Sequence, residues 1–381
     1  MMPVFLTAAE AACGLGNSLD ACESSLRQGR AGLRPLGDLM GTDSPWAALP
    51  AGWIADRSLL QGRRYGAASN AAAAMAHRVV ERARWSPEET AAAWIFAGSS
   101  RGNAMELLGK AGFRRPLRAF AASNAMHSEI GAAVSIELGI RGPWQVLANG
   151  CAAGLDALGM AWMAVASGSA PRALVVAVDL PLVPELLRGF QDSRLLSTNG
   201  VNDPFSVSTT GFLPAEAAVA VALERRDSSA WCEVRGCTAN SDAWHSLALP
   251  PDGRGIRDCL SAAWQADGPL AAICPHATGT REHGEIESRT IHDFLTKSGA
   301  VPTVHLMKPW TGHTLGASGL LDVALLAAFL RRGELPPNLP GLAAAGLRLP
   351  ESATRLPHGA NVLKIASGMG GHNAAVWLRS R

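Results

Sequence analysis

Cys151 stands in Asn149-Gly150-Cys151-Ala152-Ala153-Gly154, between a β-like apolar run, Trp144 to Leu147, and a long apolar helical pattern, Leu155 to Ala166. A thiol at such a junction faces the unpaired N–H groups and the positive dipole end of a helix. That setting is expected to lower the thiol pKa and favour the nucleophilic thiolate. The small residues Ala152, Ala153 and Gly154 let a bulky substrate carbonyl approach the backbone. Two later segments carry histidines in turn-like settings: His276 in Pro275-His276-Ala277-Thr278-Gly279-Thr280, and His313 in Gly312-His313-Thr314-Leu315-Gly316. One cysteine with two separated histidines is equipment for thioester chemistry at a buried site. Taken singly, each residue has a plainer reading. A buried cysteine is ordinarily a small hydrophobe, and a histidine in a turn is ordinarily a cap. His245, His283, His305 and His358 are read that way. Cys232 and Cys237 lack the second cysteine or histidine pair of a zinc site and read as two core thiols, so no metal is expected.

The elements that must position these residues follow from periodicity. Short apolar runs at 92–97, 173–178, 217–223, 270–274, 301–306 and 374–378 read as buried strands. Longer alanine- and leucine-rich runs at 67–84, 129–138, 155–166, 255–264, 285–297 and 320–332 read as helices. Continuous apolar strands alternating with helices imply sheets covered on both faces, an α/β architecture. The stretch from Cys151 to Gly168 also has an echo from Gly316 to Gly333, 165 residues later. Both open on a small-residue box, continue as an apolar helix and close on a glycine. The echo points to a duplicated fold with two similar halves.

Composition bounds the rest. The chain has 381 residues, 48% apolar and 17% charged, enough to bury a large core. A net charge of +2 gives no support to a nucleic-acid partner. Seven irregularly spaced cysteines suit a reducing compartment. No basic region precedes a long apolar run at the N-terminus, and no apolar stretch reaches the roughly 18 residues of a spanning helix. The expectation is a soluble cytoplasmic protein with no membrane partner.

Together these motifs resemble the β-ketoacyl-acyl-carrier-protein synthases of the thiolase fold, the type I/II elongating condensing enzymes. Gly14-Leu15-Gly16-Asn17, followed by Leu26 to Gly32, is similar to the family's opening strand, turn and helix. Asn149 to Gly154 is similar to its nucleophile elbow. Pro204-Phe205, Gly211-Phe212 and Glu216-Ala217-Ala218 echo a further conserved-pattern stretch of the family. His276 to Thr280 resembles its His-Gly-Thr-Gly-Thr box, and Lys308 with Gly312 to Ala317 its Lys and Gly-His-Thr-Leu-Gly-Ala signature.

The resemblance implies a five-layered αβαβα fold with two similar halves, 1–228 carrying the nucleophile and 229–381 the two histidines. It implies a catalytic set of Cys151, His276 and His313, with Lys308 as a supporting charge and Glu216 as a supporting polar group that caps, pairs with an arginine or touches site waters. Backbone N–H groups of Cys151 and of the Gly368-Met369-Gly370 stretch would form the oxyanion hole, with Met369 as gate. Thr278 and Thr280 would hydrogen-bond phosphopantetheine amides. The implied reaction is decarboxylative condensation of an acyl thioester with malonyl-carrier-protein through an acyl-cysteine. No free cofactor is implied; the partners are an acyl carrier protein and a second synthase chain, as homodimer or heterodimer. Arg63, Arg64, Arg114, Arg115 and Arg118 are candidates for the basic patch that an acidic carrier needs.

Several residues depart from the family pattern. Met369 and Ser367 replace phenylalanines, His372 a threonine, Ser206 and Thr210 aspartates, and His283-Gly284 a common Asn-Asp. They favour a divergent synthase of a specialised polyene or polyketide pathway, with a looser gate at the flexible Met369. His372 would join the site's network or sit in a surface turn. Two other readings stand beside this one: a non-catalytic partner subunit that shapes another synthase's pocket, and a thioesterase or acyltransferase on the same fold.

Overall fold

The computed structural model describes residues 1–108, 121–264 and 268–381. Ten strands form its main sheet. In chain order they are β1 (Val4–Cys13), β2 (Trp94–Gly98), β3 (Trp144–Leu147), β4 (Arg172–Asp179) and β5 (Ala217–Glu224), then β6 (Cys232–Ser241), β7 (Leu270–Cys274), β8 (Thr303–Val304), β9 (Asn361–Gly368) and β10 (His372–Arg379). Their order across the sheet is β8-β7-β9-β10-β6-β1-β5-β4-β2-β3. Each half repeats one pattern from the centre outward: first strand, fifth, fourth, second, third. The directions repeat as well. The first, fifth and fourth strands of each half pair antiparallel, and the fourth, second and third pair parallel. The halves join where Val4–Leu6 pairs antiparallel with Cys232–Val234.

Helices cover this sheet in layers. On one outer face, α1 (Ala67–Ala83) and α2 (Glu129–Leu138) pack on the first-half strands through Ile95, Ala97, Val176 and Ala220. On the other outer face, α4 (Arg254–Ala263) and α5 (Arg281–Ser298) pack on the second-half strands through Ile273, Leu363 and Trp377. Between the two half-sheets lie α3 (Ala153–Ala166) and α6 (Ser318–Leu330), in a core that takes side chains from both halves. The result is the five-layered, thiolase-like αβαβα arrangement. Every residue of α6 is buried, Asp322 included, as a largely apolar helix in a central layer requires. Truncating one of its leucines, such as Leu325→Ala, should cost about 2–5 kcal/mol.

The echo maps onto this central layer. Each inner helix follows a one-turn 3₁₀ segment, Gly150–Ala152 or Leu315–Ala317. After each helix the chain turns at a left-handed glycine, Gly168 (φ 83°) or Gly333 (φ 67°). The helices meet at equivalent glycines. A Cβ on Gly154 would lie 2.8 Å from the Gly316 carbonyl oxygen, and one on Gly319 would lie 2.8 Å from Leu155 Cβ. Only hydrogen at both positions lets the two helix starts touch.

Three elements differ from expectation. The run 301–306 forms a strand only at Thr303–Val304, because the Leu306 N–H is taken by Asn338 Oδ1 at 2.7 Å. Strands β6 and β9 went unread, since β6 is largely polar and β9 carries a lysine at its centre. Among the described residues no helix is long and apolar enough to cross a membrane.

Candidate active site

The nucleophile turn is built by β3, which delivers the chain to Gly150 (φ 67°), and by the 3₁₀ turn that leads into α3. Cys151 is buried, and its Sγ lies 3.2 Å from His313 Nε2. Its thiol pKa is pushed up to about 11. Burial is the main cause; Lys308, Arg101 and the Met369 N–H pull it down, while Asp179 adds to the rise. The expected lowering by a helix dipole is therefore corrected. Cys151 sits in the 3₁₀ turn ahead of α3, out of water, and desolvation outweighs the lowering by Lys308, Arg101 and the Met369 N–H. Asp179, at the end of β4, locks the surroundings. It accepts from Ser99 Oγ (3.0 Å), Ser100 N (2.9 Å), Arg101 N (2.8 Å) and Gly316 N (2.7 Å), tying together segments of both halves. Burial raises its own pKa to about 6.

His276 and His313 meet edge to face, with ring centroids 5.4 Å apart. The Cys151 sulfur and one nitrogen of each ring lie within 4.8 Å of one another, and no other group of three His, Cys, Asp or Glu donors converges in this way among the described residues. His313 is held by backbone pairing: its N–H donates to Leu213 O (2.7 Å) and its carbonyl accepts from Ala215 N (3.1 Å). Its ring also packs on Phe212 at 5.2 Å. His276 is held by charges. Glu287 of α5 accepts from His276 N (2.6 Å) and Ala277 N (2.7 Å). Lys308 Nζ donates to the His276 carbonyl, and Lys364 Nζ donates to the Pro275 carbonyl at 2.9 Å. Asp322 of α6 lies between the two lysines, 3.7 Å from Lys308 and 2.6 Å from Lys364.

Both imidazoles have pKa values well below the ordinary histidine value, first through burial and then through nearby cations, Lys308 foremost. Burial also lowers Lys308. It opposes the charge on Lys364 too, but Asp322, Cys274 and Glu287 together outweigh it and hold that lysine above its usual value.

Cys151, His276 and His313 line a cavity of about 430 Å³. Its apolar wall includes Phe190, Phe212, Leu249 and Met369. Thr278 and Thr280 also line it, their hydroxyls 3.0 Å apart. Gly368 packs behind Cys151: a Cβ there would lie 3.4 Å from Cys151 N, so the 368–369 turn and the nucleophile backbone are in direct contact. Gly370 (φ 92°) is exposed and donates to Ser246 O at 2.9 Å, fastening this turn to a neighbouring loop.

Other expected residues fall elsewhere. Glu216 is buried against Arg57 and accepts from Ile54 N at 3.3 Å; it does not line the cavity. His372 pairs with Asp156, which also accepts from Asn149 beside the nucleophile. Arg63 and Arg64 are exposed and absent from the cavity wall, whereas Arg194 and Arg281 line its mouth. Arg114, Arg115 and Arg118 lie outside the described residues. His245 is a turn residue as expected, its Nδ1 accepting from Leu247 N and Ala248 N. His305 is a core residue rather than a cap: its ring nitrogens lie 2.8 Å from Thr303 Oγ1 and 2.7 Å from Pro336 O, and burial lowers its pKa to about 4. His283 also departs from its plain reading. It lines the cavity, packs on His276 at 5.1 Å and lies 3.3 Å from Glu287.

Sequence reading overlooked Glu287, Asp322, Lys364 and the place of His283. A signal existed for two of them. Asp322 and Lys364 are single charges inside apolar runs, and a charge is buried only with a partner.

Known proteins extend this geometry. Residues 58–229 match the model of the beta-ketoacyl synthase N-terminal domain, and residues 231–341 that of its C-terminal domain. A ketoacyl synthase alpha subunit of the tetracenomycin polyketide synthase from Streptomyces glaucescens is 30% identical over 64% of this chain and 62% of its own. This chain spans less than two thirds of that relative and of other curated polyketide synthase relatives. A 3-oxoacyl-[acyl-carrier-protein] synthase 2 from Mycobacterium tuberculosis is 26% identical over 82% of this chain and 81% of its own. In fold, the chain superposes on a ketosynthase solved with its type II polyketide synthase acyl-carrier protein and bound to the hexaketide, with TM-score 0.85, 20% identity and full coverage of both chains. With both domain models matched in order across one duplicated sheet, the chain belongs to the beta-ketoacyl synthase family.

Proposed function

We propose that this protein is a 3-oxoacyl-[acyl-carrier-protein] synthase that condenses a carrier-bound acyl chain with malonyl-carrier-protein through an acyl-Cys151 intermediate. The observation that carries the reading is the 3.2 Å approach of His313 Nε2 to Cys151 Sγ, with His276 beside it in the same cavity. A thiol with pKa near 11 needs a base, and His313 is the imidazole in reach. As the Cys151 sulfur attacks the acyl thioester, His313 takes the thiol proton and passes it to the departing pantetheine sulfur. The acyl group is left on Cys151 and the first carrier leaves as a free thiol.

Malonyl-carrier-protein then enters. Neutral imidazoles suit its thioester carbonyl, because each offers an N–H without carrying charge. As CO2 departs, the C–C bond electrons form an enolate whose oxygen His276 and His313 stabilise. The enolate carbon attacks the acyl-Cys151 carbonyl. The Cys151 and Met369 backbone N–H groups would hold the resulting oxyanion, which collapses to expel the Cys151 thiolate and leave a 3-oxoacyl thioester two carbons longer. Lys308 supports His276, Thr278 and Thr280 would hold the pantetheine amides, and Glu216 serves through its pair with Arg57.

In this reading residues 1–228 supply the nucleophile and 229–381 the histidines, as the repeated strand order supports. The partners are an acyl carrier protein, met at the mouth near Arg194 and Arg281, and a second synthase chain. Exposed Ile136, Trp144, Met160 and Met163, on or beside the edge strand β3, support such a dimer. A looser gate at Met369 suits a specialised polyene or polyketide chain. The retained cysteine and histidines argue against a purely non-catalytic subunit.

Intact-protein mass spectrometry with a panel of acyl-carrier-proteins tests the reading. The wild type should gain one acyl mass that Cys151→Ala does not. An adduct that persists in Cys151→Ala would sink it.

A further inference from the structure

Lys308 and Lys364 are both about 99% buried or more, and they reach successive carbonyls of a single turn. Strand register explains how Lys364 gets there. On β9 it pairs with Cys274 of β7, the residue just before Pro275, so its ammonium meets the turn as β7 ends. Between the lysines lies one carboxylate, Asp322, itself 1% exposed. Glu287, fully buried, takes two N–H groups of the same turn, so two cations and two anions gather there. Burying charge is costly unless it is matched. The place of this matched set, directly behind the turn that carries His276, ties it to the site.

We propose that Lys364 is a positioning residue for His276: it anchors the Pro275–His276 turn and keeps its own positive charge, matched by Asp322, buried near the two imidazoles. This deepens the condensing role proposed above and rests on it for its effect on CO2 release. The ionisable groups facing Lys364 are Asp322 of α6, Lys308, Cys274 of β7 and Glu287 of α5, and both imidazoles feel its charge. A positive charge there disfavours a second one on either ring. Both rings then stay neutral N–H donors at working pH, as enolate stabilisation requires.

Two variants separate the anchor from the charge. Lys364→Met removes both and leaves the cluster with one negative charge in excess. Asp322→Asn combined with Lys364→Met restores the balance while still lacking the Pro275 anchor. The first readout is titration of the His276 ring by NMR, assigned with His276→Gln. The others are CO2 release from malonyl-carrier-protein between pH 5 and 8, and acyl loading of Cys151.

The expected result for Lys364→Met is a His276 midpoint raised by at least about half a pH unit, and CO2 release at pH 6 reduced at least about fivefold more than loading. In the double variant the midpoint should return toward wild type while CO2 release stays low. An unmoved midpoint in Lys364→Met would overturn the proposal, as would a loss equal for both steps at every pH. If Lys364→Met does not fold, wild-type CO2 release in the double variant overturns the anchor. A wild-type chain that neither loads acyl groups nor releases CO2 refutes the condensing function instead; the NMR midpoint still judges Lys364.

Discussion

The two histidines of the cavity are held in opposite ways. His313 hangs from backbone hydrogen bonds to Leu213 and Ala215, with Phe212 against its ring. His276 is fixed by charged side chains from three elements: Glu287 on its N–H, Lys308 on its carbonyl and Lys364 on the carbonyl before it. Backbone pairing sets a position without bringing charge to it. Charged anchors set position and field together. Both rings feel the buried lysines, but only the His276 turn is also held in place by them. We read this as a division between proton transfer at Cys151 and stabilisation of the decarboxylating extender.

The sharpest way to break that comparison is to remove each ring in turn. His313→Ala should slow acylation of Cys151 by about 10²–10⁴-fold. His276→Ala should leave acylation within about tenfold while stopping CO2 release. Single-turnover mass spectrometry and CO2 capture measure the two steps, and equal losses in both would erase the distinction.

Next in size is the carboxylate clamp. Glu287→Gln should destabilise the fold by about 1.5–3 kcal/mol in urea unfolding, since two backbone N–H bonds lose a charged acceptor. It should lower CO2 release more than acylation.

A pH series sharpens the electrostatic side. His276, His313 and His305 have folded pKa values below the unfolded value near 6.5. Below that pH the unfolded chain binds protons that the folded chain refuses. Stability from these groups is thus complete above about pH 6.5 and falls as pH drops. For His305 the loss should run from about pH 6.5 down to about 4, at up to about 1.4 kcal/mol per pH unit. Thermal melts from pH 8 to 4 should show it, and His305→Asn should flatten the slope by one histidine.

The smallest effect concerns the gate. Met369→Phe should change acylation by short chains within about twofold while slowing long ones, which a chain-length panel would reveal.

Much of this site was legible because its parts are contiguous in sequence. Cys151 lies at a strand-to-helix junction, and His276 and His313 sit in short boxes of glycine and threonine. The helices were legible from apolar periodicity, with α2 matching its expected limits and α1 ending within a residue of them. What stayed hidden depends on tertiary register. Lys364 faces Pro275 only because β9 pairs with β7, and Asp322 meets both lysines only because α6 runs between the half-sheets. His283 was read as a cap because nothing local shows that the first turn of α5 brings it against His276. The thiol pKa was misjudged for a related reason: helix dipoles are visible in sequence, and the depth of burial is not.

The central claim is that one sulfur accepts an acyl chain and gives it up only when an extender loses CO2. A rapid-quench experiment on purified acyl-Cys151 enzyme mixed with malonyl-carrier-protein tests it directly. The account predicts one CO2 released for each acyl group lost from Cys151, with equal appearance of a 3-oxoacyl-carrier-protein. Loss of the acyl group as free acid, without matching CO2, would contradict it.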